Sequence, residues 1–274
     1  MGDRYIDILP DDFDFRPSLE ETQLRQTFSE ICDALKNKKS YFGDCIADQN
    51  IVLDGLAFIH VGFPAPFQPE SAVQFGTELA QYFIRGEWRD ASPEEARAAI
   101  KKPNNKKFEW FPAFRRGIFV TLLSDREEAL KELANWVEPW MKPDGTLAHL
   151  HPMYARLYVL ICNAFRDTPF MQEEVLPGGL KSCRKKEPKL LITAWLAALA
   201  GDQGAFDQAI QDCVHQFERT THTGYVPHPK DCIAFDASVV LAAGRRMGMR
   251  LPSFEPPVRA RLLTPESVSI TNDS

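Results

Sequence analysis

The chain holds 274 residues, 44% of them hydrophobic and 26% charged, enough for one large domain or two small ones around a packed core. Its formal charge is −6 and its pI about 5.6, which argues against a general nucleic-acid binder, whose footprint is basic, and suits a protein that meets a basic partner. The start, MGDRYIDILPDDFDF, is acidic and has no long apolar stretch, so no signal peptide is expected; Ile6 stands where a myristoylation signal following Gly2 needs Ser or Thr.

Residues 1–17 read as an irregular acidic arm. A helix is expected from Ser18, with Glu21 three residues on as the partner of a capping box, and Leu24, Phe28, Ile31, Cys32 and Leu35 as its apolar stripe. Further helices are expected over Cys45–His60 and Ser71–Ile84, separated by the loop GFPAPFQPE, and a short capped one from Ser92. Asn104–Leu123 forms a longer helix in which Pro112 must sit near the start or kink the axis. Ser124 and Asp125 cap the next helix, Arg126–Met141.

Tyr154, Leu157, Tyr158, Ile161, Cys162 and Phe165 mark another helix, followed by a weak one at Phe170–Lys186 that PGG interrupts. LLITAWLAALA, Leu190–Ala200, is apolar on all sides; it is too short to span a bilayer and reads as a central helix. After Gly201 and Asp202, the residues Phe206, Ala209, Ile210, Cys213, Val214 and Phe217 share one face of the next helix. A last helix is expected over Lys230–Met247, and residues 251–274 close the chain as an extended, proline-rich tail.

No alternating β-branched stretch occurs, so the expected fold is all-α: a single multi-helix bundle or an irregular α-solenoid built from αα-hairpins, with the helical domain covering residues 18–250. LLSDREEAL at Leu122–Leu130 and LAGDQGAFD at Leu199–Asp207 share one pattern: an apolar run, a small residue, Asp, then a second amphipathic run. Each reads as the corner of a hairpin, because an Asp side chain can accept hydrogen bonds from the first free N–H groups of a helix. No 34-residue period is present, so divergent helix pairs fit better than strict repeats.

No catalytic residue, metal or cofactor is assigned. The His149–His151 pair lies two residues apart, and such residues on a helix point away from each other. His222, His228, Asp231 and Cys232 gather near one loop, but their spacing follows no standard zinc pattern; the ordinary reading is a helix–helix connection. The six cysteines form no CxxC and read as buried, reduced thiols of a cytoplasmic protein. Nucleophile motifs such as GxSxG, P-loop and HExxH are missing. Basic stretches at residues 97–116 and 181–189 read as solvated faces. In the arm, Asp7, Asp11, Asp12, Asp14, Glu20 and Glu21 form the candidate surface for a cationic partner, with Tyr5, Phe13 and Phe15 as possible anchors or as residues that tack the arm to the bundle.

Three stretches together carry a likeness: FEWFPAFRRGIFVTLLSDREEALKELANW, KLLITAWLAALAGDQGAFDQAIQDCVHQF and FDASVVLAAGRRMGMRLP. Their order resembles the immunity protein 49 family of bacterial polymorphic toxin systems, over roughly the C-terminal two thirds of the chain. The resemblance implies an all-α, cytoplasmic protein without catalysis that binds and neutralises a cognate toxin, of nuclease or deaminase type. It implies no membrane and no nucleic acid as partner, and it carries over no contact residue. Two other classes remain open: a helical adaptor with a groove between hairpins, and an enzyme with a metal or carboxylate site between helices.

Overall fold

The computed structural model describes residues 17–36, 45–85, 107–124, 126–137, 152–221 and 229–268, and the fold is all-α, with no strand among the described residues. The N-terminal helices are α1 (Pro17–Lys36), α2 (Cys45–His60), α3 (Pro69–Arg85), α4 (Lys107–Leu122) and α5 (Glu127–Asn135). They are followed by α6 (Pro152–Asn163), the one-turn α7 (Gln172–Val175), α8 (Lys186–Ala200), α9 (Gln203–Thr221), α10 (Phe235–Arg246) and α11 (Pro256–Ala260). Short 3-10 turns occur at Gly179–Ser182, Pro229–Cys232 and Glu266–Val268.

α1 starts one residue earlier than expected, at Pro17, so Ser18 lies inside the helix. Proline suits a first helical position because its missing N–H has no partner there in any case. Leu24 is buried, and Phe28 stacks on Phe67 at 4.4 Å and meets Phe75 edge-on at 5.0 Å, which fixes α1 against the α2–α3 loop and α3. α3 lies along α4, and α2 packs on both. Their approach is close at Gly76, where a Cβ would stand 2.8 Å from Cγ1 of Val120.

The C-terminal helices form a second layer. α8 and α9 make a hairpin, α6 and α10 lie against α8, and α10 reaches back to α4. One contiguous apolar core runs through both layers. Its deepest elements are α2, where Val52–Phe58 is buried without a break, and α10, where Ala237–Gly244 is buried throughout. α8 is central over most of its length, but its C-terminal end reaches the surface, with Leu199 43% exposed. Small residues give α10 its depth: a Cβ on Gly244 would stand 2.6 Å from the Phe206 ring of α9.

The two corners differ. At Gly201 the chain turns left-handed (φ 71°), its N–H donates to the Ala198 carbonyl, and the Asp202 N–H donates to the Ala197 carbonyl, a complete Schellman closure. Asp202 then caps α9 by accepting the Ala205 N–H at 3.0 Å. At the other corner Ser124 closes α4 instead of capping α5: its hydroxyl donates to the Thr121 carbonyl at 2.8 Å and accepts the Arg126 N–H at 3.4 Å. α5 opens without a side-chain cap, and Glu127 and Glu128 supply negative charge to its first turn. Asp125 and the helix expected from Ser92 lie outside the described residues.

The expected helix over Lys230–Met247 is split into the 3-10 turn Pro229–Cys232 and α10. The segment after Arg250 also departs from the extended tail that its prolines suggested. Pro256 and Pro257 open α11, and Val258, Ala260, Leu262, Leu263 and Val268 are buried in the body. The Ala234 N–H donates to the Arg261 carbonyl at 2.8 Å, and the Leu263 N–H donates to the Ser238 hydroxyl at 3.0 Å, which stitches the segment to α10.

Candidate functional site

α4, α6 and α10 converge on one charged group. Arg115 of α4 donates through Nη2 to Oδ1 of Asp236 at 2.6 Å, and the Tyr158 hydroxyl of α6 donates to the same oxygen at 2.7 Å. The guanidinium lies over the rings of Phe235 and Tyr158, each 5.3 Å away, and of Tyr154 at 5.9 Å. Aromatic faces attract a desolvated cation, so the rings and the carboxylate hold Arg115 together. Burial alone would lower the Arg115 pKa; Asp236 and Tyr158 outweigh it and raise the pKa above the ordinary arginine value. Burial, then Asp236, pushes the Tyr158 phenol well up, and burial with a hydrogen bond to Glu187 does the same for Tyr154. The cation stays charged and both phenols stay protonated.

Beside this group lies a pocket of about 290 Å³. α2 lines it with Asn50, Leu53 and Ala57, α4 with Arg115, Arg116 and Phe119, and α9 with Phe217. The segment from the 3-10 turn to α10 adds Lys230, Asp231, Ile233 and Phe235, and Leu263 closes one side. Its apolar wall includes Phe119 and Phe235, which meet edge-on at 5.2 Å. Lys230 is anchored from behind: its ammonium donates to both carboxylate oxygens of Asp54, at 2.7 and 2.9 Å, and Asp54 is 6% exposed. A buried carboxylate needs such a partner. Among the buried polar atoms of the lining residues, Oδ1 of Asn50 and Nε of Arg115 make no hydrogen bond within the described residues.

The arrangement can hold a ligand by charge and shape. It offers no activated thiol: burial raises the pKa of Cys162, Cys213, Cys183 and Cys232, which keeps them protonated and poor nucleophiles. Among the described residues, no group of three His, Cys, Asp or Glu side chains converges to hold a metal ion. Among them, too, no helix is long and apolar enough to cross a membrane.

Of the expected partner-binding acids, Asp7, Asp11, Asp12 and Asp14 lie outside the described residues. Glu20 and Glu21 sit in α1, and Glu21 pairs with Arg25 at 2.8 Å. His149, His151, His222 and His228 are also outside the described residues, while Asp231 borders the pocket and Cys232 is buried behind it. The basic stretch 181–189 meets expectation where it is described, with Lys181, Arg184, Lys185, Lys186 and Lys189 exposed. Arg115 does not: its side chain is 20% exposed and paired. The signal was its register, since Arg115 flanks Phe114 and precedes Ile118 and Phe119 by three and four residues, on the border of the apolar stripe. Asp54 and Asp236 were passed over, although an acid inside IVLDGLAF has to be paired to sit there.

Compared with protein-family models, with curated proteins and with solved structures, the chain matches none of them.

Proposed function

We propose that this chain is a bacterial immunity protein that binds one cognate toxin domain, of nuclease or deaminase type, and neutralises it in the cytoplasm by occlusion without catalysis. The observation that carries the reading is where the three stretches with the family likeness lie. They supply α4 and α5, the α8–α9 hairpin, and α10, and these helices pack on one another: α8 on α9 and α10, α10 on α4, α4 on α5. A likeness scattered over unrelated surface positions would carry less weight than one that assembles into a single body.

The physics of occlusion fits the molecule. A stack with one continuous core presents its surface without ordering cost, and preorganisation of that kind favours tight binding. A net charge of −6 steers a basic toxin toward it and speeds association. The toxin is the partner; nucleic acid is its substrate, not a ligand of this chain.

The test is co-expression with the toxin encoded by the neighbouring gene. Growth is restored by the full chain, and the two proteins elute as one stoichiometric complex in size-exclusion chromatography. Continued killing at equal expression, with no complex, overturns the reading. Recovery of several unrelated partners from the same cells favours a helical adaptor instead.

A further inference from the structure

Over much of the body, surface cations are matched to acids: Arg126 pairs with Glu78, Lys131 with Asp167, Arg245 with Glu266 and Arg261 with Glu218. The stretch from Lys181 to Lys189 is different. It carries five cations, Lys181, Arg184, Lys185, Lys186 and Lys189, against one acid, Glu187. All five cations are exposed, and among the described residues none of them makes an ion pair or a side-chain hydrogen bond. Glu187 is engaged elsewhere, in a hydrogen bond with Tyr154 of α6. We propose that this patch is a docking surface for an acidic segment of another protein, a short run of Asp and Glu side chains.

The backbone presents these cations on a fixed frame. Gly178 and Gly179 turn left-handed (φ 72° and 60°) and lead into the 3-10 turn Gly179–Ser182, which packs on α8. The Cys183 N–H donates to the Leu180 carbonyl at 3.1 Å, and the buried Cys183 thiol donates to the Lys185 carbonyl at 3.3 Å. Pro188, buried in the first turn of α8, seats the helix start against the body. Lys185, Lys186 and Lys189 therefore stand where a helix favours anions and opposes cations. Lys185 occupies the capping position and supplies no side-chain acceptor. The cations repel one another and the helix end behind them, and a partner that brings carboxylates relieves both repulsions.

The surroundings decide which kind of polyanion fits. Residues 176–189 contain no aromatic side chain, and none of the exposed large hydrophobic residues lies among them. A single-stranded nucleic acid draws much of its affinity from bases stacked on aromatics, and a peripheral membrane segment from apolar side chains pressed into the lipid. The patch is also narrow. Glu173 and Glu174 stand exposed on α7 just before it in the chain, and the whole chain carries −6. A wide anionic surface would bring its charge against those acids, whereas a short acidic segment meets the five cations alone. Four of the five are lysines, compact charges on flexible stems that adapt to carboxylates set unevenly along a peptide. A basic toxin is repelled by this surface, so the proposal stands apart from the toxin reading and either can fail alone.

The experiment measures binding of a fluorescent octaglutamate peptide to the full chain by anisotropy. At low ionic strength this peptide binds and an octalysine peptide does not. Raising the salt from about 0.01 to 0.15 M shortens the screening length from roughly 30 to 8 Å and weakens binding about tenfold or more, because exposed charges carry it. The double variant Lys185→Gln, Lys186→Gln lowers the affinity about tenfold. The control Arg126→Gln, Lys131→Gln removes the same charge elsewhere on the body and changes the affinity by less than about twofold. Equal losses in the two double variants show a response to net charge alone and overturn the proposal. So do a failure of octaglutamate to bind at millimolar concentration and an affinity that salt leaves unchanged. Tighter binding of phosphatidylserine vesicles or of a single-stranded oligothymidylate than of the peptide also overturns it. Should a variant misfold, the salt dependence and the ranking of these probes on the unaltered protein decide the question.

Discussion

Arg115 and Asp236, separated by 121 positions in the chain, meet at 2.6 Å and join the N-terminal layer to the C-terminal one. Their side chains are 20% and 13% exposed, so each charge depends on the other. Asp236→Ala strands a mostly buried guanidinium among aromatic rings and should lower the unfolding free energy by roughly 3 kcal/mol, the usual cost of removing one partner of a buried pair. Urea denaturation checks this. The double variant Arg115→Met, Asp236→Ala should lose less than the sum of the two single changes, since neither then leaves a lone charge. Strict additivity would show that the pair is not coupled.

The corner at Gly201 and Asp202 yields a second prediction. Gly201 has φ 71°, a conformation that costs a side-chain-bearing residue energy even though no heavy atom lies within 4 Å of the would-be Cβ. Gly201→Ala should therefore destabilise by about 1 kcal/mol through the backbone alone. Asp202→Ala removes the acceptor of the Ala205 N–H and should cost about 1 kcal/mol, while Asp202→Asn keeps a capping oxygen and costs little. Midpoints of chemical denaturation for the three variants separate the backbone effect from the capping effect.

The helical periods were legible because they are local. Phe206, Ala209, Ile210, Cys213 and Val214 share one face in the sequence and are all buried in α9. The Gly-Asp corner was legible for the same reason: both its closure and its cap lie within a few residues. Depth was not legible. Nothing within Val52–Phe58 tells that helices cover it on every side, and α8, the more apolar-looking run, ends with Leu199 at the surface. Pro256 and Pro257 suggested an extended tail, because proline breaks a helix from within; at the first positions of α11 they are compatible with one. The pocket escaped the sequence altogether. Its charged lining residues come from α4 and the turn before α10, and no short-range pattern links Lys230 to Asp54, the α2 acid that anchors it across 176 positions.

His60 gives the fold a pH dependence. It is buried in α2, and its Nε2–H donates to the Ala260 carbonyl at 2.7 Å, which ties α11 to the body. Burial pushes its pKa down from 6.5 to about 4, and the hydrogen bond to Ala260 offsets only part of that. The unfolded chain thus binds the proton more readily than the folded one between these two values. Stability from this group is complete above pH 6.5 and is lost as the pH falls toward 4, by about 3 kcal/mol at the lower end. His60→Gln retains a donor for Ala260 and cannot titrate. Its stability should fall less steeply over that window than the unaltered protein's, as measured by urea unfolding at a series of pH values. Parallel curves would mean that His60 takes up its proton without unfolding.

The acidic N-terminal stretch is where the proposed toxin encounter is most open to measurement. Asp11, Asp12 and Asp14 lie within a few residues of one another, with Asp7 before them and Glu20 and Glu21 after. Glu21 already pairs with Arg25 along α1, so the aspartates are the charges to vary. Long-range attraction acts on the encounter rate and is screened by salt, whereas short-range packing sets the lifetime of the complex. Replacing Asp11, Asp12 and Asp14 by Asn should slow association with the cognate toxin about tenfold at low ionic strength and flatten its salt dependence. The dissociation rate should change little, because the aspartates act before contact is made. Stopped-flow mixing at several salt concentrations separates the two rates. If association and its salt slope both stay as they were, these aspartates do not face the toxin, and the steering charge must come from the acids of the helical body.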